Sequence, residues 1–365
     1  MNKGVRFRIY PNKTQEDLIN RTFGCCRLIY NRALAMRKDA YKNDVKCGYN
    51  QTSTMLTQLK QQEEYSFLKD IDSIALQQSL RDLDTAYKNF FKKLAKYPKY
   101  KSKHNLHQSY RTLNQGNNIR IIGNSIKLPK LGCVKVKQSM EIGKINSVTV
   151  ERTPTGKYYV VLNVDFEPQQ HINNGGEVAL DMGIKSFYTD SNNSVVNNPK
   201  YLEKSMKKMV REQRRLSRKK IGSNNRNRQR IKVARVHEKV TNQRNDFLQK
   251  VSTKLISENQ TIYVEDLKVK NMIRNHKLAQ SISSVSWGMF FRMLEYKAKW
   301  YGSKIIKVPT FYPSSQICHV CGCKNETVKN LSIRTWECSN CHTVHDRDYN
   351  ASMNILQKGK RLVLQ

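Results

Sequence analysis

Apolar and polar residues alternate from Lys3 to Tyr10 (KGVRFRIY) and the alternation stops at Pro11, which predicts one short strand. Thr14 then precedes Glu16 and Asp17, an expected helix start, and Leu18, Thr22, Cys26, Ile29, Ala33 and Met36 recur at helical spacing. A second helix fits 51–63 and a third 71–95, with Leu76, Leu80, Leu83, Phe90 and Leu94 on one side. The first hundred residues thus read as a helical unit ending in the basic segment KKLAKYPKYKSKH. The period then changes to two in NNIRIIGNSIKLPKLGCVKVKQ and KINSVTVERTPTGKYYVVLNVDF, where TPTG has the composition of a hairpin turn. Several short strands in succession predict a small β-barrel. The N-terminal strand is the candidate to close it, which would make the helical unit an insertion.

The polar stretch EPQQHINNGG (167–176) reads as a linker, and the pattern beyond it is α/β. GEVALDMGIKSFYTD predicts a buried strand, a tight turn at Gly183 and a second strand. Lys200 to Lys250 predicts a long helical pair broken near GSNN (222–225). TIYVEDL is a further buried strand ending in carboxylates, WGMFFRMLEYKAKWYG an amphipathic helix and SKIIKVP another strand. No internal repeat is visible.

With 365 residues the chain exceeds what one hydrophobic core usually organises, so two or more domains are expected. Charge sharpens the picture: 66 Lys and Arg against 29 Asp and Glu give a formal charge of +37, a field that attracts polyanions, nucleic acid foremost. Between Lys200 and Lys250 eighteen basic residues face four acids, too one-sided for pairing within the helices and suited to backbone phosphates. The aromatic residues of YKNFFKKLAKYPKYKSK fit two roles, stacking on bases or anchoring their own helix. No apolar run approaches the ~20 residues of a membrane span. The N-terminus lacks the apolar core of a secretory signal, so a reducing cytosol is expected and metal binding is favoured over disulfides. Five of the nine cysteines (Cys25, Cys26, Cys47, Cys133, Cys323) show no framework spacing.

The other four, Cys318, Cys321, Cys338 and Cys341, have the spacing C-x2-C-x16-C-x2-C of two thiolate knuckles around zinc. Four thiolates leave no open coordination position, so the expected zinc is structural. His319, His342, His345 and Cys323 are nearby alternatives, but cysteine already fills all four regular positions. Directly behind the second knuckle come Asp346 and Asp348, which a folding staple would not need. Asp181 ends one apolar strand (EVALD) and Glu265 another (TIYVE), the strand-end placement at which α/β sheets carry ligand sites. Asp181, Glu265 and Asp348, three acids from remote segments converging at one sheet edge, would bind divalent cations through oxygen, and in so basic a chain two-metal phosphodiester hydrolysis is the natural chemistry. On spacing alone Asp190, Asp266 and Asp346 compete equally.

In order along the chain, LDMGIKSF, YVEDLKVKNM, SSVSWGMFFRMLEYKAKWYG, PSSQICHVCG, WECSNC and HDRDYNASMNI resemble the TnpB proteins of bacterial insertion sequences, as does YPNKTQEDLINRTFGCCRLIYNRAL at the N-terminus. The resemblance implies an RNA-guided DNA endonuclease of the bacterial cytoplasm. It would be similar to a small ancestor of type V CRISPR effectors and carry two Mg²⁺ ions, one structural Zn²⁺ and a guide RNA made from the transposon end. Its implied fold is multidomain α+β. A split β-barrel wedge domain (1–10 and 113–170) would carry an inserted helical recognition domain (11–112). An RNase H-like RuvC domain (171–315 and 345–365) would follow, with a zinc ribbon (316–344) inserted. It also implies the choice among the acids: Asp181, Glu265 and Asp348 as catalytic magnesium ligands, with Ser352 standing where a second Ala is usual. By position in the family, Tyr49, Ser73, Gln77 and Gln115 would face duplex DNA at a short target-adjacent motif. Rival readings are a transposase acting on the element itself, a repressor that no longer cuts, and a generic basic RNA-binding protein. No His-x-His pair of the single-strand transposase kind is present.

Overall fold

In the computed structural model, which describes residues 1–168, 175–276 and 278–364, the alternating N-terminal run forms β1 (Asn2–Tyr10). Three helices follow, α1 (Lys13–Lys42), α2 (Tyr49–Gln61) and α3 (Ser73–Phe91), then β2 (Gln108–Leu113), β3 (Arg120–Ile122), β4 (Ser125–Leu128), β5 (Gly132–Lys137), β6 (Ile145–Arg152) and β7 (Tyr158–Asp165). These elements lie in the first of two compact units, Met1–Glu167; the second is Pro168–Gln365. Of the expected linker, residues 169–174 lie outside the described residues.

Several sequence expectations shift here. The cap of α1 is Asn12, not Thr14: its side chain accepts from the Gln15 N–H while Gln15 reaches back to the Asn12 N–H, a full capping box directly after Pro11. α3 ends at Phe91, short of the expected 95, and Leu94 is exposed because the apolar face has no further partner. A 3-10 segment, Glu63–Asp70, fills the stretch left between the second and third expected helices. β2 falls inside the segment read as helical. The seven strands run β2-β6-β7-β1-β5-β4-β3, so β1 enters the middle of the sheet, pairing with β7 on one side and β5 on the other, rather than at a closing edge. One continuous apolar core joins the sheet to the helices, from Phe7 and Val160 to Ile29, Leu76 and Leu83. The TPTG turn holds: the β6–β7 ladder ends at Arg152 and Tyr158 and Thr153 closes on Lys157. The aromatic segment divides. Tyr87 and Tyr97 are tied hydroxyl to hydroxyl at 2.9 Å, Phe90 meets Tyr97 edge-on, and Phe91 stands exposed.

The second unit contains β8 (Glu177–Met182), β9 (Ser186–Asp190), β10 (Val195–Asn197), α4 (Tyr201–Ser217), α5 (Asn224–Glu258), β11 (Thr261–Glu265), α6 (Val269–Met272), α7 (Ala279–Val285), α8 (Trp287–Tyr301), β12 (Lys304–Val308), β13 (Thr335–Glu337), β14 (Val344–Asp346) and α9 (Arg347–Val363). The main sheet runs β10-β9-β8-β11-β12, with β11 parallel to both β8 and β12. Period two decides what each face carries. Val178, Leu180, Met182, Ile262 and Val264 pack with α5 and α8, whereas Ala179 and Tyr263 pack on the opposite side with Ile355 of α9. Asp181 and Glu265 continue the 179 and 263 series, so both belong to the α9 face at the C-terminal ends of adjacent parallel strands.

α9 seats against that face through Gly359. A Cβ there would lie 2.1 Å from Cδ1 of the buried Tyr263 ring, so only glycine permits the approach. Gly359→Ala should therefore destabilise the unit by about 1–3 kcal/mol through overpacking. The measurement is the melting temperature, which should fall by about 2–4 °C per kcal/mol; an unchanged value would mean that helix and ring separate freely.

Candidate active site

Asp181, Glu265 and Asp348 line one cleft of about 970 Å³ together with Lys185, Ser314 and Arg334. Burial, and after it the charges of Glu265 and Asp348, push the Asp181 carboxyl well above the usual carboxylate range; Arg347 and Arg334 oppose the shift. Burial also raises Glu265, against a hydrogen bond that Ser314 Oγ donates to its Oε1 at 2.6 Å. Asp348 sits in the first turn of α9, where a helix N-terminus favours negative charge, and accepts from Arg334 Nη1 at 3.2 Å.

The competing acids have other work. Asp346 is the N-cap of α9, accepting from the Asp348 and Tyr349 N–H groups. Asp190 closes the β9–β10 turn by accepting from the Asn192 and Ser194 N–H groups. Asp266 is bound to Lys268 and Thr310, and the lysine holds its carboxyl below the usual range. Spacing alone left these six acids equivalent; the fold separates them into three turn, cap and ion-pair formers and three that share a cleft.

Asp181 carries a linkage consequence. Its folded pKa is raised, so the native state binds more protons than the unfolded chain between the unfolded value near 3.9 and the folded one, and stability falls as pH rises through that window. Asp181→Asn should therefore raise the melting temperature of the cation-free protein at pH 7–8, and the gain should shrink towards pH 4. Thermal melts of both proteins in chelator across that range measure it; an equal or lower melting temperature for the variant at pH 8 would contradict the electrostatics.

The four predicted cysteines come together, their sulfurs all within 4.8 Å of one another, with Cys318–Cys341 at 3.6 Å and Cys321–Cys338 at 3.5 Å. A tetrahedron with Zn–S bonds of ~2.3 Å has edges of about 3.8 Å, so the donor set fits zinc. Two equivalent turns build it. The Gly322 N–H donates to the Cys318 carbonyl and the His342 N–H to the Cys338 carbonyl, and both Gly322 and His342 have left-handed φ (78° and 55°). Of the alternative ligands, His345 is buried with Nε2 3.0 Å from Cys318 Sγ, beside rather than within the quartet. Among the described residues the three carboxylates do not form a comparably close ligand group.

The knuckle is bolted to α9 by two fully buried amides. Asn350 accepts from the His319 N–H and donates to the Ile317 carbonyl; Asn354 donates to the carbonyls of Ser314 and Ile317. Both lie in the HDRDYNASMNI run, where the sequence signal is a pair of amides at i and i+4 that fall on the buried side of α9. Ser352 is also buried, its hydroxyl satisfied by the Tyr349 carbonyl.

Comparison with known proteins agrees with this architecture. Residues 147–276 match a family model described as a probable transposase (OrfB of IS605), residues 287–355 the TNB domain of Cas12f1-like proteins, and residues 1–46 a helix-turn-helix domain. A "Putative RNA-guided DNA endonuclease" of Streptomyces pristinaespiralis is 39% identical over 98% of this chain and 89% of its own. The similarly named InsQ of Escherichia coli K12 is 34% identical over 98% and 92%. The chain belongs to the TnpB family. Its fold is that of the Cas12f1 chain in a solved complex with guide RNA and target DNA, matched with a TM-score of 0.57 over 97% of this chain and 98% of that one at 13% identity. Among the described residues no helix is long and apolar enough to cross a membrane.

The residues that a TnpB chain is expected to turn towards duplex DNA all lie in the first unit. Tyr49 and Ser73 begin α2 and α3. Ser73, Gln77 and Arg81 follow one another at helical spacing, with Arg81 stacked on the Tyr49 ring at 4.8 Å and Lys60 donating to Ser73. Gln77 is exposed, and Gln115 is an exposed turn residue after β2.

Proposed function

We propose that this chain is the RNA-guided DNA endonuclease of a transposable element, cutting duplex DNA beside a short target-adjacent motif at a single carboxylate site in the bacterial cytoplasm. The observation that carries the reading is the convergence of Asp181, Glu265 and Asp348 on one cleft while their neighbours are engaged elsewhere. The names of the relatives supply the RNA guide and the DNA target. On this reading the domains are those implied by the resemblance, the second unit being the RuvC part with its ribbon.

The residues fit divalent cations by donor chemistry: three acidic side chains line one cleft, and burial raises the carboxyl pKa of two of them, Asp181 and Glu265. Two bound Mg²⁺ ions would activate the attacking water and stabilise the leaving 3′ oxygen. On this reading Asp181 and Glu265 act from the ends of adjacent strands, and Asp348 acts from the first turn of α9, which lines the same cleft. Lys185 and Arg334 lie where a phosphodiester would approach and lower the barrier to bringing a polyanion against three carboxylates. Arg334 must share its guanidinium between Asp348 and that phosphate.

The test is sequencing of RNA that co-purifies with the protein, then incubation of the complex with Mg²⁺ and a plasmid library of randomised flanks. One discrete RNA and cleavage beside one fixed motif support the proposal. Target binding without cutting indicates a repressor. Strand transfer of element ends, the activity that the matching model's description favours, would indicate a transposase.

A further inference from the structure

The carboxylate reading gives Asp181, Glu265 and Asp348 a role in the cleft but leaves Ser314, which also lines it, without one. This residue is buried, and its hydroxyl donates at 2.6 Å to Oε1 of Glu265, which lines the same cleft. Its own place is fixed from two sides: its N–H donates to the Tyr312 carbonyl and its carbonyl accepts from Asn354 of α9. The same amide, with Asn350, holds the turn that leads into Cys318. Glu265 and Asp348 come from different elements, one the end of a strand and the other the start of a helix. Ser314 joins the two: its hydroxyl donates to Glu265, and its backbone carbonyl accepts from Asn354 of the helix carrying Asp348.

We propose that Ser314 is a positioning residue, setting the rotamer of Glu265 relative to Asp348 so that the site's affinity for divalent cations depends on its hydroxyl. A glutamate has three rotatable bonds, and a ligand that must first be ordered binds a cation less tightly than one already held. The proposal rests on the carboxylate-site reading above. Removing the hydroxyl leaves the backbone hydrogen bonds of Ser314 intact, so the fold should survive the change.

The experiment compares wild type, Ser314→Ala, Ser314→Thr and Asp181→Ala, each purified with its RNA. Mn²⁺ binding is followed by electron paramagnetic resonance, and the Mg²⁺ dependence of cleavage is measured separately. Ser314→Ala should keep its melting temperature and zinc content but bind Mn²⁺ about 10-fold more weakly, within the ~10–100-fold range for outer partners of metal ligands. Its Mg²⁺ half-saturation should rise by a similar factor with a smaller change in maximal rate, and threonine should restore most of the loss. Wild-type Mn²⁺ affinity in Ser314→Ala would overturn the proposal, as would a fall in melting temperature and zinc that threonine does not repair. If wild-type protein shows no Mn²⁺ site that Asp181→Ala removes, the carboxylate reading itself fails, a result visible without the serine variants.

Discussion

Asp181→Ala should abolish DNA cleavage, by on the order of 10³-fold or more, while binding of guide RNA and target should change little. The size follows from removing several kcal/mol of transition-state charge stabilisation at ~1.4 kcal/mol per factor of ten. The asymmetry follows from location. Asp181 ends a central strand and faces two other acids, so its loss relieves repulsion and leaves the basic surfaces of α4 and α5 untouched. Single-turnover cleavage of a matched plasmid, beside filter binding of the same DNA, measures both quantities. Cleavage within ~10-fold of wild type, far less than the several kcal/mol a metal site supplies, would remove Asp181 from the chemistry.

Cys318→Ser should have the second large effect, and by a different route. Structural zinc supplies on the order of 10 kcal/mol of local folding free energy, far more than the small two-stranded sheet β13-β14 can replace. Losing it releases the turn held by Asn350 and Asn354, and with it Ser314 and the start of α9. Zinc content should fall from one per chain to none, and a protease should cut within 316–344. Cleavage should be lost although Cys318 is not among the residues that line the carboxylate cleft. Limited proteolysis with metal analysis checks this; full cleavage by a zinc-free variant would mean that the ribbon does not position Asp348.

The two predictions also mark what the sequence made legible. Spacing alone placed the four cysteines, because knuckle geometry is local. It placed the strands bearing Asp181 and Glu265 because a buried parallel strand is a short apolar run with a sharp end. It could not say which of Asp346 and Asp348 caps α9 and which lines the cleft, since that depends on where the helix begins. Pattern also missed β2, whose alternation lies behind the lysine-rich segment, and the central place of β1, which depends on pairings more than a hundred residues apart. Arg37 escaped the helical pattern of α1 because a buried arginine is legible only with its partners, Asp84 at 2.9 Å and the Tyr87 ring. The roles of Ser314, Asn350 and Asn354 escaped the pattern for the same reason: each acts through hydrogen bonds to segments remote in sequence.

The most direct test of the central claim is reprogramming. The guide segment of the co-purifying RNA is replaced by an unrelated sequence, and cleavage is mapped on a plasmid carrying both the old and the new targets beside the same flanking motif. The account predicts that the cut moves to the new target, requires Mg²⁺ and vanishes in Asp181→Ala. A cut that stays at the old target, or that ignores the RNA, would contradict it.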